Sequence, residues 1–218
     1  MKLLGEREEW PPGQSRHFIP INKIYELVNE ENVQKELESE YPTLARRDLE
    51  NYTKLICASS RKLFAILICG SPQDYDTIRP ILDENITDAD LPFERIATKE
   101  TDHPNSYNHS YTLGIHRYCK RDNHEGCTIR ALSSWQPLDI AELGGRQYSF
   151  LAPVFNSGPG EIALLDLNTG SIMPFTEDLE TDTRYHKTGG YSEVWPVRIH
   201  PAHHNFNIFS SANPDPRV

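Results

Sequence analysis

The sequence Leu63-Phe64-Ala65-Ile66-Leu67-Ile68 is apolar at every position. A segment that is apolar all round belongs inside a core, and its short length alone fits either a strand or a helix. We favour a helix because Arg61-Lys62 continue the helical register of the preceding residues, and Gly70-Ser71-Pro72 then end it. We therefore expect residues 63–68 to be the best-buried element in the first half of the chain.

Helical patterns flank this run on both sides. A first helix is predicted over 21–28, where apolar residues fall three and four apart, and a second over 33–37. Thr43 is a candidate N-cap for a third helix, and a further helix over 74–82 contains Pro80, which should break or kink it. The buried stripe predicted for the third helix consists of Leu44, Leu49, Tyr52, Leu55 and Ile56.

Strand-like patterns replace helical ones after Trp135. Residues 148–155 and 161–167 are rich in aromatic and branched side chains, and Ser157-Gly158-Pro159-Gly160 between them has strong turn chemistry. A β-hairpin is therefore predicted across 148–167, with Pro153 restricting its first strand to a sheet edge or a bulge.

The sequence predicts an α+β fold in which a helical N-terminal module is followed by β-hairpins. Residues 1–17 lack periodicity and are expected to be a flexible tail, whereas 18–83 form the helical module. Residues 84–134 are rich in Asp, Asn, Thr and His, which indicates a polar insertion or linker. Residues 135–206 are expected to be β-rich, and 207–218 have the composition of a second flexible tail.

Charge and composition narrow the classes of function. The 218 residues carry a formal net charge of −10, which argues against nucleic-acid and membrane partners because both need clustered positive charge. The longest apolar run, 63–69, is far shorter than a membrane span requires. Glutamates follow Met1-Lys2-Leu3-Leu4 at once, so no signal peptide is expected. Two of the four cysteines fall in apolar helical patterns, which indicates reduced thiols and an intracellular protein, cytoplasmic or nuclear.

A metal-binding pattern occurs in the polar segment. His116, Cys119, His124 and Cys127 have the spacing H-x2-C-x4-H-x2-C, and imidazole and thiolate are preferred ligands of zinc. The alternative is a chance spacing in a histidine-rich loop. We favour this alternative because three basic side chains within 117–121 would repel a cation. We therefore do not expect zinc as a cofactor.

Other catalytic arrangements receive no support from the sequence. It contains no Gly-x-Ser-x-Gly nucleophile elbow and no catalytic-cysteine signature. Residues 200–204 include three histidines that could bind a metal ion, but a cluster of surface histidines after a strand is the interpretation we favour.

A glycine-containing run, Lys187-Thr188-Gly189-Gly190-Tyr191-Ser192-Glu193-Val194, predicts a tight strand-turn-strand. Glycine lets a backbone turn and approach a ligand closely. The glycine-rich loop of protein kinases has the form G-x-G-x-x-G-x-V and covers the phosphates of ATP. On that pattern Gly189 is the second glycine, Tyr191 the aromatic tip and Val194 the valine that packs on adenine. Lys187 and Ser192 take the places of the first and third glycines.

The run 189–206 resembles the glycine-loop region of a large group of filamentous-fungal protein-kinase-like proteins. In that group a GGFGEVY-type loop leads into an IHP-x-HHNF segment, which here is Ile199-His200-Pro201-Ala202-His203-His204-Asn205-Phe206. Further segments share the resemblance: Phe150-Leu151-Ala152-Pro153-Val154-Phe155, Ile172-Met173-Pro174-Phe175, Arg61-Lys62-Leu63-Phe64-Ala65-Ile66-Leu67 and Asp88-Ala89-Asp90-Leu91-Pro92-Phe93.

This resemblance implies a protein that, when complete, binds ATP and phosphorylates Ser or Thr. Gly189, Gly190, Tyr191, Ser192 and Val194 would then lie over the nucleotide, and ATP binding would require the complete kinase domain. No Ala-x-Lys strand, catalytic Asp loop or Asp-Phe-Gly follows the loop within the 218 residues. We therefore expect a non-catalytic regulatory or interaction portion whose partner is a downstream kinase domain or another protein. The alternative is a stand-alone adaptor, with or without a stabilising zinc.

Overall fold

A computed structural model of the chain describes residues 3–9, 16–97, 111–115, 128–156, 165, 167, 169–178, 187–189, 192–194 and 197–206. These residues form packed helices and short antiparallel strand pairs, so the predicted α+β class is confirmed. The helices are α1 (Ile21–Leu27), α2 (Glu30–Glu40), α3 (Arg46–Ser59), α4 (Arg61–Ile68), α5 (Pro72–Asp83) and α6 (Pro137–Arg146).

The strands in the described part of the chain pair only two at a time. They are β1 (Glu8–Glu9), β2 (His17–Phe18), β3 (Glu94–Ala97), β4 (Tyr111–Gly114), β5 (Phe175–Asp178), β6 (Lys187–Gly189), β7 (Ser192–Val194) and β8 (Val197–Ile199). The antiparallel pairs are β1·β2, β3·β4, β5·β8 and β6·β7. A two-stranded pair is marginally stable alone, and of these pairs β3·β4 packs against a helix, through the contact of β4 with α6.

Helix α4 lies at the centre of the main hydrophobic core. Every residue from Leu63 to Ile68 is buried, so the predictions of a helix and of its burial are both confirmed. The helix packs against α1, α3, α5 and α6. Because complete burial of one Leu, Ile or Phe side chain contributes about 1.5–3 kcal/mol, this short helix supplies much of the stability of the core.

Helices α1, α2, α3 and α5 follow the sequence predictions except at their boundaries, whereas α6 lies in the segment that was predicted to be β-rich. Helix α2 begins at Glu30, earlier than predicted, because the Asn29 side chain accepts a hydrogen bond from the backbone N–H of Asn32 and caps it. The predicted N-cap Thr43 is wrong. Residues 42–44 form a turn closed by the Leu44 N–H on the Tyr41 carbonyl, and α3 begins after Ala45.

Two details of α3 and α5 also differ from the sequence predictions. The face of α3 that is buried runs through Leu49, Thr53 and Ile56, whereas Leu55 of the predicted stripe is exposed. Helix α5 is not broken at Pro80, which lies inside it. The helix continues past the proline because the buried side chains on either side pack into the core, which outweighs the lost hydrogen bond.

The described parts of 84–134 differ from the expected polar linker. Side chains from this segment join the same core as α4, although they are spaced singly among polar residues and therefore give no periodic signal. They are Ile86, Phe93, Leu113, Ile115, Ile129 and Leu132. Of this set, Leu113 lies in β4, and β4 packs against α6.

The predicted tail 1–17 also has ordered parts. Residues Leu3–Glu6 form a 3-10 turn, and β1 pairs with β2, where Glu8 faces Phe18 and Glu9 faces His17. Burial of Phe18 fixes the position of β2, and β2 in turn holds β1 in place. The tail predicted at 207–218 lies outside the described residues.

The hairpin predicted across 148–167 is wrong in its first strand. Residues Gln147–Phe150 form a 3-10 turn that continues α6, and Phe155 makes only a single bridge, to His204. The buried Gln147 side chain explains the helical course: it donates to the carbonyls of Phe93 and Gly144 and accepts from the Phe93 N–H. These bonds outweigh the strand preference of the neighbouring aromatic residues. Most of the second predicted strand lies outside the described residues. The expected β-rich segment therefore begins with helical structure.

Candidate functional site

The glycine-containing run forms an antiparallel strand pair. Lys187 pairs with Val194, Thr188 with Glu193, and Gly189 with Ser192. This register leaves two residues, Gly190 and Tyr191, between the strands, which is the commonest length of a hairpin connection. Both of them lie outside the described residues. The two strands of the predicted strand-turn-strand are thus confirmed.

The next strand along the chain has a different partner. Strand β8 pairs antiparallel with β5, with Ile199 facing Phe175 and Val197 facing Asp178 across an irregular register. The N–H of His200, directly after β8, donates to the carbonyl of Pro174 at 2.8 Å. The hairpin β6·β7 is therefore followed at once by a strand that is fastened to 174–178.

His203 is the centre of the contacts that follow. Its side chain is 1% exposed, its Nδ1 lies 2.9 Å from the Pro153 carbonyl oxygen, and its Nε2 lies 3.0 Å from the backbone nitrogen of Ile21. The Ile21 N–H can only donate, so Nε2 is the accepting nitrogen and Nδ1 carries the proton that is donated to Pro153. The imidazole is therefore neutral in this arrangement. Burial lowers the pKa of His203, partly offset by its bond to Pro153.

The hydrogen bond between Ile21 and His203 satisfies a backbone group at the start of α1. Ile21 is the first residue of α1, and the first N–H groups of a helix have no partner within the helix. His203 supplies a partner from a segment 182 positions away along the chain. The favoured interpretation of a surface histidine cluster is therefore wrong for His203, because its side chain is buried and both ring nitrogens are used by partly buried backbone groups.

Aromatic and backbone contacts complete what we call the His203 junction, formed by Phe18, Ile21, 152–155, 172–174 and 200–205. The ring of His203 meets the edge of Phe18, with ring centres 5.5 Å apart. The Phe155 N–H donates to the His203 carbonyl, and the Asn205 N–H donates to the Phe155 carbonyl. Phe18, Ala152 and Ile172 form a second, smaller hydrophobic core beneath it.

The segments that carry the kinase-like resemblance meet one another in this structure. Three of them, 150–155, 172–175 and 199–206, converge in the His203 junction. The other two, 61–67 and 88–93, also meet, because the Asp88 carboxylate accepts from the N–H groups of Lys62 and Leu63 at 3.1 and 2.9 Å. This carboxylate caps α4 from outside the helix, a favourable place for a negative charge.

Burial of the Asp88 carboxylate offsets part of the stabilisation that this cap gives to α4. Burial raises the pKa of Asp88, although its bonds to the backbone of α4 act in the other direction. Nearby, the Thr87 and Asp90 side chains form a capping box around the 3-10 turn Asp88–Asp90. The resemblance segments in the described part of the chain therefore act as junctions of the fold, which is a structural use of residues first noticed as a motif.

A buried ion pair was missed from the sequence. Asp74, 2% exposed, accepts from the guanidinium of Arg146 and from the Ser71 hydroxyl at 2.6 Å. The Nε of Arg146 donates to the Ile66 carbonyl at 3.0 Å, so this pair fastens α6 and α5 to the end of α4. A Cβ at Gly70 would clash with the Asp74 carboxylate and the Arg146 guanidinium, so a larger residue there would displace this ion pair. The pattern Ser71-x-x-Asp74 at a helix start was the available signal.

The metal-binding pattern falls where the structure gives no description. His116, Cys119, His124 and Cys127 all lie outside the described residues. Within the described ranges, no group of three or more His, Cys, Asp or Glu side chains could hold a metal ion. The two described cysteines, Cys57 and Cys69, are free thiols, and burial raises the pKa of Cys69 to about 11. Such a thiol is a weak nucleophile at neutral pH.

Comparisons of this chain with protein-family models, with curated proteins and with solved structures found no match. No helix in the described part of the chain is both long enough and apolar enough to span a bilayer.

Proposed function

We propose that these 218 residues form a non-catalytic regulatory or interaction portion of a protein-kinase-like protein. The observation that carries this proposal is the hairpin β6·β7, in which a glycine closes the register of two short strands and two further residues connect them. A kinase glycine loop is a strand pair of this kind. The resemblance of 189–206 to such loops supplies the rest of the argument.

In this proposal the hairpin is a degenerate glycine loop. Gly189, Gly190, Tyr191, Ser192 and Val194 would cover ATP only in the context of a complete kinase domain, which supplies the opposite wall of the nucleotide site. Lys187 and Ser192 carry side chains where glycines would allow the closest approach of phosphate. Nucleotide affinity should therefore be reduced even in that context.

The helical module would act by fixing the position of the hairpin. Strand β8 follows the hairpin, and the residues after it reach α1 through His203. A partner that binds the helices would thus act on the hairpin through the His203 junction. The partner would be a downstream kinase domain or another protein, in the cytoplasm or nucleus, with neither nucleic acid nor membrane as a partner.

The proposal is tested by the purified 218-residue chain and by the transcript that encodes it. The chain should transfer no phosphate from labelled ATP, since it contains no candidate for the catalytic lysine, the catalytic aspartate or the magnesium ligands. Calorimetry should detect no ATP binding at micromolar concentrations. Magnesium-dependent phosphate transfer that is lost on mutating a residue of this chain would contradict the proposal.

The transcript separates this proposal from the stand-alone adaptor. If the open reading frame continues past Val218 into an Ala-x-Lys strand and a catalytic Asp loop, the kinase-like assignment is supported. A stop codon at that point, confirmed by the mass of the native protein, would favour the adaptor. If the purified chain contained one equivalent of zinc that was lost in Cys119→Ser, the adaptor would be the form stabilised by zinc.

A further inference from the structure

A cavity of about 380 Å³ opens between β2, the end of α6 and residues 170–172. Small-molecule sites usually have volumes of about 300–1,000 Å³, so this cavity is large enough for a small ligand. The residues that line it are Arg7, Arg16, His17, Gly145, Tyr148, Ser149, Gly170 and Ile172. None of these eight is acidic, in a chain with a formal net charge of −10.

Two arginines, Arg7 and Arg16, line the cavity. The Nε of Arg7 donates to the Leu4 carbonyl at 2.8 Å, which holds this guanidinium on the 3-10 turn Leu3–Glu6. Arg16 forms no hydrogen bond or ion pair with another described residue and is exposed at the mouth. The nearest acidic position in the strand register is Glu9, opposite His17. Glu6 and Glu8 also flank Arg7 in sequence, but none of these three carboxylates lines the cavity, whose charged lining is Arg7 and Arg16.

Tyr148 and Ile172 form the apolar part of the lining. Tyr148 packs against the small core of Phe18, Ala152 and Ile172. Its ring lies so close to Gly170 that a Cβ there would clash with it. Gly145 adds no side chain, and a Cβ built there would meet nothing within 4 Å. Glycine at position 170 therefore lets the Tyr148 ring pack directly on the backbone, whereas the space beside Gly145 is open.

We propose that this cavity binds a small organic anion, a phosphate monoester or a carboxylate on a flat apolar body. Arg7 and Arg16 hold the anionic group, because guanidinium groups form paired, charge-assisted hydrogen bonds with phosphate and carboxylate oxygens. Tyr148 and Ile172 contact the apolar body. This proposal does not rest on the kinase-like assignment, since the hairpin β6·β7 contributes no residue to the cavity.

The test is a titration of the complete chain, followed by NMR and calorimetry. The probes are phenyl phosphate and benzoate, with inorganic phosphate and benzyl alcohol as controls that each carry one half of the ligand chemistry. We expect saturable binding of at least one aromatic anion, with resonance shifts at Tyr148, Ser149 and Gly170. Inorganic phosphate and benzyl alcohol should each bind at least about tenfold more weakly than the preferred aromatic anion. Preference for phenyl phosphate or for benzoate identifies the anionic group that the cavity binds.

Arg16→Gln should weaken binding of the preferred probe by about tenfold or more, because one charge-assisted contact is lost. Arg16→Lys retains the charge and should bind with intermediate affinity. Arg46→Gln on the exposed surface of α3 is the matched control and should bind like the unmodified chain. Thermal melting of each variant checks the fold. The proposal is overturned if neither aromatic anion saturates by about 10 mM, if Arg16→Gln binds unchanged, or if benzyl alcohol binds equally well.

Discussion

The core around α4 and the His203 junction are stabilised by different kinds of interaction. The first is a set of apolar side chains from consecutive helices, and the second is a set of hydrogen bonds between segments far apart in sequence. Apolar burial is non-directional and tolerates small shifts, whereas a buried imidazole between two backbone groups requires one protonation state and one orientation. Mutations in the helical core should therefore lower stability in proportion to the apolar area that they remove. Mutations in the His203 junction should lower stability only when they remove a specific hydrogen-bond partner.

The largest expected effect is in the core. Phe64 is 1% exposed and lies in the middle of α4. Phe64→Ala should lower the free energy of unfolding by about 3–5 kcal/mol, because a cavity replaces the ring. Urea titration measures this loss. Leu55→Ala on α3, 37% exposed, is the control and should cost less than about 1 kcal/mol. Similar losses for both variants would mean that α4 is not the centre of the core.

The second effect tests the junction. His203→Ala removes the partners of the Ile21 N–H and the Pro153 carbonyl at once. Both groups are partly buried, so each one left unsatisfied costs about 1–2 kcal/mol, and we expect a total loss of roughly 2–4 kcal/mol in urea titration. Amide hydrogen exchange at Ile21 should quicken. His204→Ala is the neighbouring control, and an equal loss there would show that the bonds of His203 are not specific.

The third effect, smaller again, concerns the cap on α4. Asp88→Ala should cost about 1–2 kcal/mol, because the N–H groups of Lys62 and Leu63 lose their acceptor. Asp88→Asn retains an acceptor oxygen and should recover part of the loss. The free energy of unfolding of both variants is read from urea titrations. If Asp88→Ala were as stable as the unmodified chain, the hydrogen bonds of Asp88 would not stabilise the contact between 61–67 and 88–93.

These cases show which parts of the molecule were readable from sequence. The identity and burial of α4 follow from six consecutive apolar residues, and α1, α2, α3 and α5 from local periodicity. The strands of the glycine hairpin were readable because turn and strand signals lie within eight residues. The role of His203 was not, since its partner Ile21 is 182 positions away. The 3-10 turn at 147–150 was missed for the same reason, because its course depends on Gln147 bonding to Phe93.

The smallest effect is a dependence of stability on pH. Burial lowers the pKa of both His203 and His200 in the folded chain. The unfolded chain binds these protons more readily, so the free energy of unfolding should be constant above about pH 7.5 and should fall as pH drops below the ordinary histidine pKa of about 6.5. The charged groups that act on this pair are Glu8, Lys62 and His204.

Urea titrations at several pH values measure this dependence. The raised pKa of Asp88 has the opposite sign, since protonation of that carboxyl is easier in the folded chain, so the comparison is best made above pH 5.5. His203→Ala should show a shallower dependence between pH 7 and 5.5 than the unmodified chain. An identical slope in the two proteins would mean that His203 does not titrate as the buried neutral group described above.

The state of the His203 ring is the most direct test of the central claim, that His203 is a neutral bridge between α1 and 153–155. Long-range proton–nitrogen NMR correlation reports which ring nitrogen carries the proton. We predict Nδ1 protonated, Nε2 unprotonated, and a ring that remains neutral at a pH where the imidazoles of the urea-unfolded chain are already half protonated. A proton on Nε2, or a ring that titrates together with the unfolded histidines, would contradict the account.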